Sequence, residues 1–432
     1  MKIHPTRRLV AALTGSVLLV LPACGGAQDT ADGEAAAAPS ASPSPQESMD
    51  HSMPDATTPM GNAADGDPFG LTRQAASHMP MTADALARGF DAALDFPGAA
   101  MSDAADLRAA LTYLLTEHVY LAGIAVDTAY VAGPKSQEFK LAAGALDENT
   151  VALADAVGSV AGRDNRRTFL QAWRSHIDDF VTYAVAVKSN DQAGKQQALK
   201  DLEGYQRVAG QFFEEVTGGA LPASAVRASL DEHVKTLTAA IDAFAAGDAH
   251  AFDKLKAAAG HMPMTAQALA TGIDQATGMK GDPNSQASQV RALLNAELTE
   301  HVYLAGTGVF TAYVEGADSD AFKAAAAALD ANSVELSKAV TSLTDKKTGD
   351  NFLQAWRSHI DDFVTYAVAV AEDDQQAKQM AEANLQAYAV QQGKTMQELT
   401  GGALQADVVQ QAFETHIATL TAAIDAMAAA LV

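Results

Sequence analysis

Eight of the eleven histidines in this chain fall into four pairs at one fixed separation. His78 pairs with His261 (261 − 78 = 183), and His118 with His301, His176 with His359 and His233 with His416 at the same offset. An imidazole can accept a proton, hydrogen-bond or ligate a metal through either ring nitrogen. Around His176 the residue types narrow this choice. The stretch Phe169 to Val187 reads FLQAWRSHIDDFVTYAVAV and recurs unchanged from Phe352 to Val370. As a helix it places Phe169, Trp173, His176, Phe180 and Tyr183 on one face, at spacings of three, four and seven. That face is apolar except for the histidine and Asp179, three residues on; Asp362 stands in the same relation to His359. An imidazole and a carboxylate one turn apart can share a cation or hydrogen-bond each other.

The other histidines also lie on apolar stripes. His118 is flanked by Leu111, Leu114 and Leu121, His233 by Val226, Leu230 and Leu237, and His78 by Leu71, Ala75 and Met81. Read by sequence order, each repeat presents four core-facing histidines from four helices. A buried polar group without a partner costs on the order of 1–3 kcal/mol, so four converging imidazoles favour a shared ligand. Met81 beside His78, and Met264 beside His261, add a soft thioether at helical spacing. Glu117 and Asp178 lie off their neighbours' stripes and are expected to be solvated. The metal ligands expected are thus His78, Met81, His118, His176, Asp179 and His233 in the first repeat. Those of the second are His261, Met264, His301, His359, Asp362 and His416. Ligand imidazoles at an ordinary pKa lose metal as pH falls through about 6–7.

The elements that position these residues are helices. The composition is rich in alanine, 48% hydrophobic and only 6% aromatic. In the first repeat helices are expected near 70–95, 103–132, 136–160, 164–188, 191–217 and 222–246, separated by Gly, Pro and Asn breakers such as Gly133-Pro134 and Gly218-Gly219. Pro80 and Pro263 should kink or break the first helix of each repeat. A period of 183 residues means tandem domains rather than a solenoid. The expected architecture is all-α, with up-and-down bundles at 69–248 and 249–432, the first able to fold alone.

The N-terminal segment has a different character. Lys2, Arg7 and Arg8 precede the apolar run Leu9 to Val20, which is too short to span a bilayer as a mature helix. Leu21-Pro22-Ala23-Cys24-Gly25 follows. It resembles the lipobox of bacterial lipoproteins, in which the cysteine is lipidated and becomes the mature N-terminus. The resemblance implies a signal peptide over 1–24, lipidation at Cys24 and an extracytoplasmic place on a bacterial membrane. Residues 25–68, rich in Ala, Ser and Pro, read as a disordered tether. Within them Met49-Asp50-His51-Ser52-Met53 resembles motifs of periplasmic copper-resistance proteins.

The repeated blocks EHVYLAG and WRSHIDDF resemble helical repeat domains of bacterial surface proteins that carry a "copper amine oxidase-like" label. Copper amine oxidases themselves need a Thr-x-x-Asn-Tyr-Asp/Glu motif for their quinone cofactor. That motif does not occur here, so no oxidase activity is expected. Other chemistries are poorly supported. No Glu-x-x-His run precedes His118, His176 or His233, as a ferritin-like di-iron site would need. The single cysteine excludes intramolecular disulfides, thiolate clusters and Cys-x-x-Cys-His haem attachment. A formal net charge of −24 argues against nucleic acid as a partner. The function expected is copper binding for buffering or handover. Non-covalent haem binding is the first alternative. A helical module that contacts a protein partner, its histidines merely structural, is the second.

Overall fold

The computed structural model describes residues 66–432. Cys24, the signal segment, His51 and the methionines around it lie outside the described residues. Fourteen helices follow one another: α1 (Pro68–Ser77), α2 (Met79–Leu94), α3 (Asp103–Val131), α4 (Gln137–Ala161), α5 (Arg163–Lys188), α6 (Gln192–Val216) and α7 (Ala223–Ala246), then α8 (Ala251–Gly260), α9 (Met262–Thr277), α10 (Gln286–Glu315), α11 (Asp320–Leu343), α12 (Lys346–Ala371), α13 (Gln375–Leu399) and α14 (Ala406–Leu431). Among the described residues there is no strand, so the all-α expectation holds.

Local chemistry sets the helix ends. Ser102, Ser136, Ser285 and Ser319 cap α3, α4, α10 and α11, each side chain accepting from a backbone N–H three residues on. Gly133 and Gly316, which adopt positive φ, follow α3 and α10. The first helix of each repeat is broken in two, as Pro80 and Pro263 lead one to expect. His78 ends α1 and begins α2, with the proline in the first turn of the new helix, and His261 does the same between α8 and α9. A proline tolerates that first turn because its missing N–H has no acceptor there.

α3 and α10 run through the centre and pack on each other. Both are buried on almost every side, as helices apolar all round should be. Part of α3 has the length and composition to cross a membrane, but 89% of that window is buried inside the protein. It is the core helix. The consecutive helices α3 to α7 pack in turn, as do α10 to α14.

The leading helix pairs depart from this order. α1 and α2 pack on α10 and α14, whereas α8 and α9 pack on α3 and α7. Each half receives the first helices of the other repeat. A boundary at 248/249 therefore cuts across the packing, and one hydrophobic core joins both halves. Reciprocal contacts hold the exchange. Ala104 N–H donates to the Lys280 carbonyl at 3.0 Å, and Ala287 N–H to that of Pro97 at 3.3 Å. Arg108 donates to the Pro283 carbonyl at 2.6 Å, and Arg291 bonds Asp84 of α2 and Asp106 of α3.

At the centre, Tyr120 and Tyr303 stack with their ring centroids 5.8 Å apart. The Tyr120 hydroxyl donates to Glu300 at 2.7 Å, and that of Tyr303 to Glu117 at 2.8 Å. Contrary to expectation, Glu117 is fully buried. It also accepts from Tyr113 at 2.7 Å and Asn149 at 2.8 Å, with Arg73 of α1 beside it at 3.4 Å. A carboxylate so supplied with donors can be buried. Asp178 is exposed, as expected.

Candidate metal centres

The buried face of α5 is the one the spacing predicts: Phe169, Trp173, His176, Phe180 and Tyr183. It meets α3 and α7, which bring His118 and His233 to the same place. The ring centroids lie 5.4 Å apart for His118 and His176, 6.0 Å for His118 and His233, and 6.5 Å for His176 and His233. In the second half α10, α12 and α14 supply His301, His359 and His416 at 5.4, 5.8 and 6.5 Å. Within each triad all three histidines are buried, and their candidate ligand nitrogens lie within 4.8 Å of one another.

This donor set fits a metal. A four-coordinate ion bound by imidazole holds its nitrogens at about 2.0–2.1 Å. Three such nitrogens are then about 3.3–3.5 Å apart, which small ring rotations would reach from here. Three ligands from one protein leave a fourth position open. Nδ1 of His118 and His233, and both ring nitrogens of His301 and His416, are buried without a hydrogen-bond partner in the protein, while His176 and His359 have the backbone of Trp173 and Trp356 as hydrogen-bond neighbours. Each such atom carries an unmet cost on the order of 1–3 kcal/mol. An ion would satisfy one nitrogen of each ring.

Electrostatics agree with the neutral form that a metal needs. Burial pushes His118 down to about 4, with the Asn149 side chain pulling slightly the other way. His359 falls to about 3 through burial and the nearby His416, and His416 to about 4 through burial and His78. His176, His233 and His301 are pushed down by burial and then by their fellow histidines. Proton competition near pH 6–7 is therefore not what this site would face. Aromatic rings hold the imidazoles in place. Trp173 lies 4.6 Å from His176 and 4.9 Å from His118, and Tyr205 stacks on His176 at 4.5 Å. Trp356 and Tyr388 do the same for His359.

The fourth histidine comes from the other repeat. The His261 ring lies 6.0 Å from that of His233, with the backbone of Ala257 as its hydrogen-bond neighbour. His78 is correspondingly an electrostatic neighbour of His416. Sequence order grouped His78 with His118 and His261 with His301, but the exchange of leading helices reverses both. Each stands at the edge of a triad and outside the group of three.

The expected non-histidine ligands are not in these groups. Met81 is 41% exposed and Met264 67% exposed. The neighbouring Met79 and Met262 are buried instead, because the break at His78 and His261 starts a new helix and turns the next residue inward. Met262 lines an apolar cavity that also touches His118 and His233. Asp179 is only partly buried, and its charged neighbours are Asp201 and Asp178. Asp362 accepts from Asn384 at 3.0 Å. Neither carboxylate joins a triad, since a residue three positions on is rotated about 60° from the histidine's direction.

Sequence reasoning gave no role to Tyr205 or Tyr388. The only available signal was that both sit at matched positions in helices that otherwise differ widely. A third group, Glu297, Glu300 and Glu335, also places its carboxylate oxygens within 4.8 Å. Lys256 bonds Glu300 at 2.9 Å and also Glu335, while burial and its acidic neighbours push Glu297 up to about 8. A lysine already balances that cluster. Comparison with family models, curated proteins and solved structures finds no match to this chain.

Proposed function

We propose that this protein binds two transition-metal ions, one in each histidine triad, and that the ion is copper. The observation that carries the reading is the convergence of three buried imidazoles from three helices, twice in one chain. A nitrogen-rich site favours copper over the other divalent first-row metals. The buried Met262 near the first triad extends that preference toward Cu(I). The role proposed for the ions is storage or handover. The lipobox-like run at Cys24 supports an extracytoplasmic, lipid-anchored protein. Haem fits less well. A porphyrin needs a wide slot between its axial ligands, and here the rings pack against one another and against Trp173 and Tyr205.

The test is titration of the metal-free protein with Cu(I) under anaerobic conditions, and with Cu(II) and Zn(II), against a competing chelator. Two copper equivalents are expected per chain, held more tightly than zinc. His176→Ala and His359→Ala should each remove one equivalent, and the double variant both, as independent sites require. Full stoichiometry in the double variant would assign the histidines a structural role. A Soret band in protein purified from a haem-supplemented culture would favour haem.

A further inference from the structure

The two triads match, but the walls beside them do not. Next to the first triad lies an apolar cavity of about 60 Å³ that touches His118, His233, Trp173 and Met262. At the corresponding positions of the second half several side chains are larger. Phe413 stands for Leu230, Phe90 for Ile273, Gln392 for Ala209 and Leu343 for Val160, with the exposed Val408 for Ala225, against three changes the other way, Met396 for Phe213, Val290 for Leu107 and Ala412 for Ser229. Phe413 is buried against Trp356, 6.4 Å away, and Tyr388, 5.5 Å away. Phe90 is buried in α2, which packs on α10 and α14. At two of the positions that line the space beside His118 and His233, the second half thus carries a buried aromatic ring in place of an aliphatic side chain.

An apolar cavity of this kind stays dry, and engineered ones of about 150 Å³ take up benzene or xenon. A cavity of about 60 Å³ is small for an aromatic ring and sufficient for a single atom or a two-atom molecule. It touches two imidazoles of the three-nitrogen site, His118 and His233, and a metal held by three protein ligands keeps a fourth position open. We propose that the first triad, and not the second, admits a small uncharged diatomic molecule to its metal. Carbon monoxide, nitric oxide and dioxygen belong to this class. The inference rests on the metal reading above for the ion, but on the cavity alone for access. With carbon monoxide as probe, the carbon lone pair fills the open position of Cu(I); no bond breaks and no electron is transferred.

The experiment uses the full chain loaded with two equivalents of Cu(I) and exposed to carbon monoxide, read by the infrared C–O stretch. One molecule per chain, in a single band, is expected. Leu230→Phe with Ile273→Phe should reduce that band at least tenfold while both copper ions remain. Phe413→Leu with Phe90→Ile should add a second equivalent, which shows that the loss in the first variant is not misfolding. Xenon applied to the metal-free protein should perturb the methyl resonances of Leu111, Leu115 and Leu269 in the wild type and not in the filled variant. Two carbon monoxide molecules per wild-type chain, or none with both coppers bound, would overturn the proposal. If no copper binds, the metal reading fails and the gas-on-metal step with it. The xenon measurement then separately decides access, and absence of uptake overturns that as well.

Discussion

At the residue scale, the six triad histidines link metal binding to acid stability. An unfolded histidine takes up a proton near pH 6.5, whereas the folded His118, His359 and His416 resist it down to about 4, 3 and 4. Below pH 6.5 the unfolded chain therefore binds more protons than the folded one. The stability is fully present above that pH and falls as pH drops toward the folded values. Each such histidine costs on the order of 1 kcal/mol per pH unit in that window. The metal-free protein is expected to unfold cooperatively between about pH 6 and pH 4, followed by circular dichroism. The His118→Gln/His359→Gln/His416→Gln variant should shift the midpoint downward. An unchanged midpoint would show that these rings are protonated in the folded state. Copper-loaded protein should stay folded to a lower pH than the metal-free form, because bound metal adds to folding stability.

At the element scale, glycines set how closely the exchanged helices dock. A Cβ added to Gly272 of α9 would come within 2.6 Å of Leu221 Cβ, and one on Gly89 of α2 within 2.7 Å of Leu404 Cβ. Both leucines belong to the repeated Thr-Gly-Gly-Ala-Leu block and are buried. Alanine is a better helix former than glycine by about 1 kcal/mol. Overpacking costs about 1–3 kcal/mol. Because the clash is with a Cβ rather than a mobile side-chain tip, overpacking should win. Gly272→Ala is expected to lower stability by about 1–2 kcal/mol in urea unfolding, with weaker copper binding at the first triad if α9 moves. A stabilised variant would mean that α9 is free to slide.

At the scale of the whole molecule, the two repeats form one interlocked body. A fragment of residues 67–248 keeps α1 and α2 but loses α10 and α14, on which they pack, and lacks α8 and α9, which cover α3 and α7. Its α1–α2 pair is the repeat mate of α8–α9. Two copies can therefore satisfy each other by exchanging leading helices, as the halves of the full chain do. The fragment is expected to elute at twice its mass in size-exclusion chromatography and to bind two copper ions per dimer. A folded monomer with an ordinary cooperative transition would contradict the exchange. The proposed lipid attachment belongs to this scale too. Cys24→Ala should release the protein from membranes on fractionation, since a lipidated cysteine is the proposed attachment.

Much of this was legible from the residues alone, and the rest was not, for definite reasons. The period-3.6 pattern of FLQAWRSHIDDF determined which face of α5 is buried, because amphipathic spacing and helix geometry are local properties. The prolines after His78 and His261 determined where the first helices break, since a missing N–H acts within a few residues of itself. His118, His176 and His233 were identifiable as core-facing for the same reason. Tertiary structure alone decided which copy of the fourth histidine approaches which triad. The two copies of the leading helices carry nearly the same apolar face, so either can dock on either half. In the pairing adopted, Arg108 of α3 meets Gln267 of α9 and Arg291 of α10 meets Asp84 of α2. Glu117 shows the same limit from the other side. On its own helix it lies off the stripe, yet it is buried because Tyr303 and Arg73 arrive from outside that helix. Local sequence determines what a residue offers to its neighbours; only the packing of distant segments decides who those neighbours are.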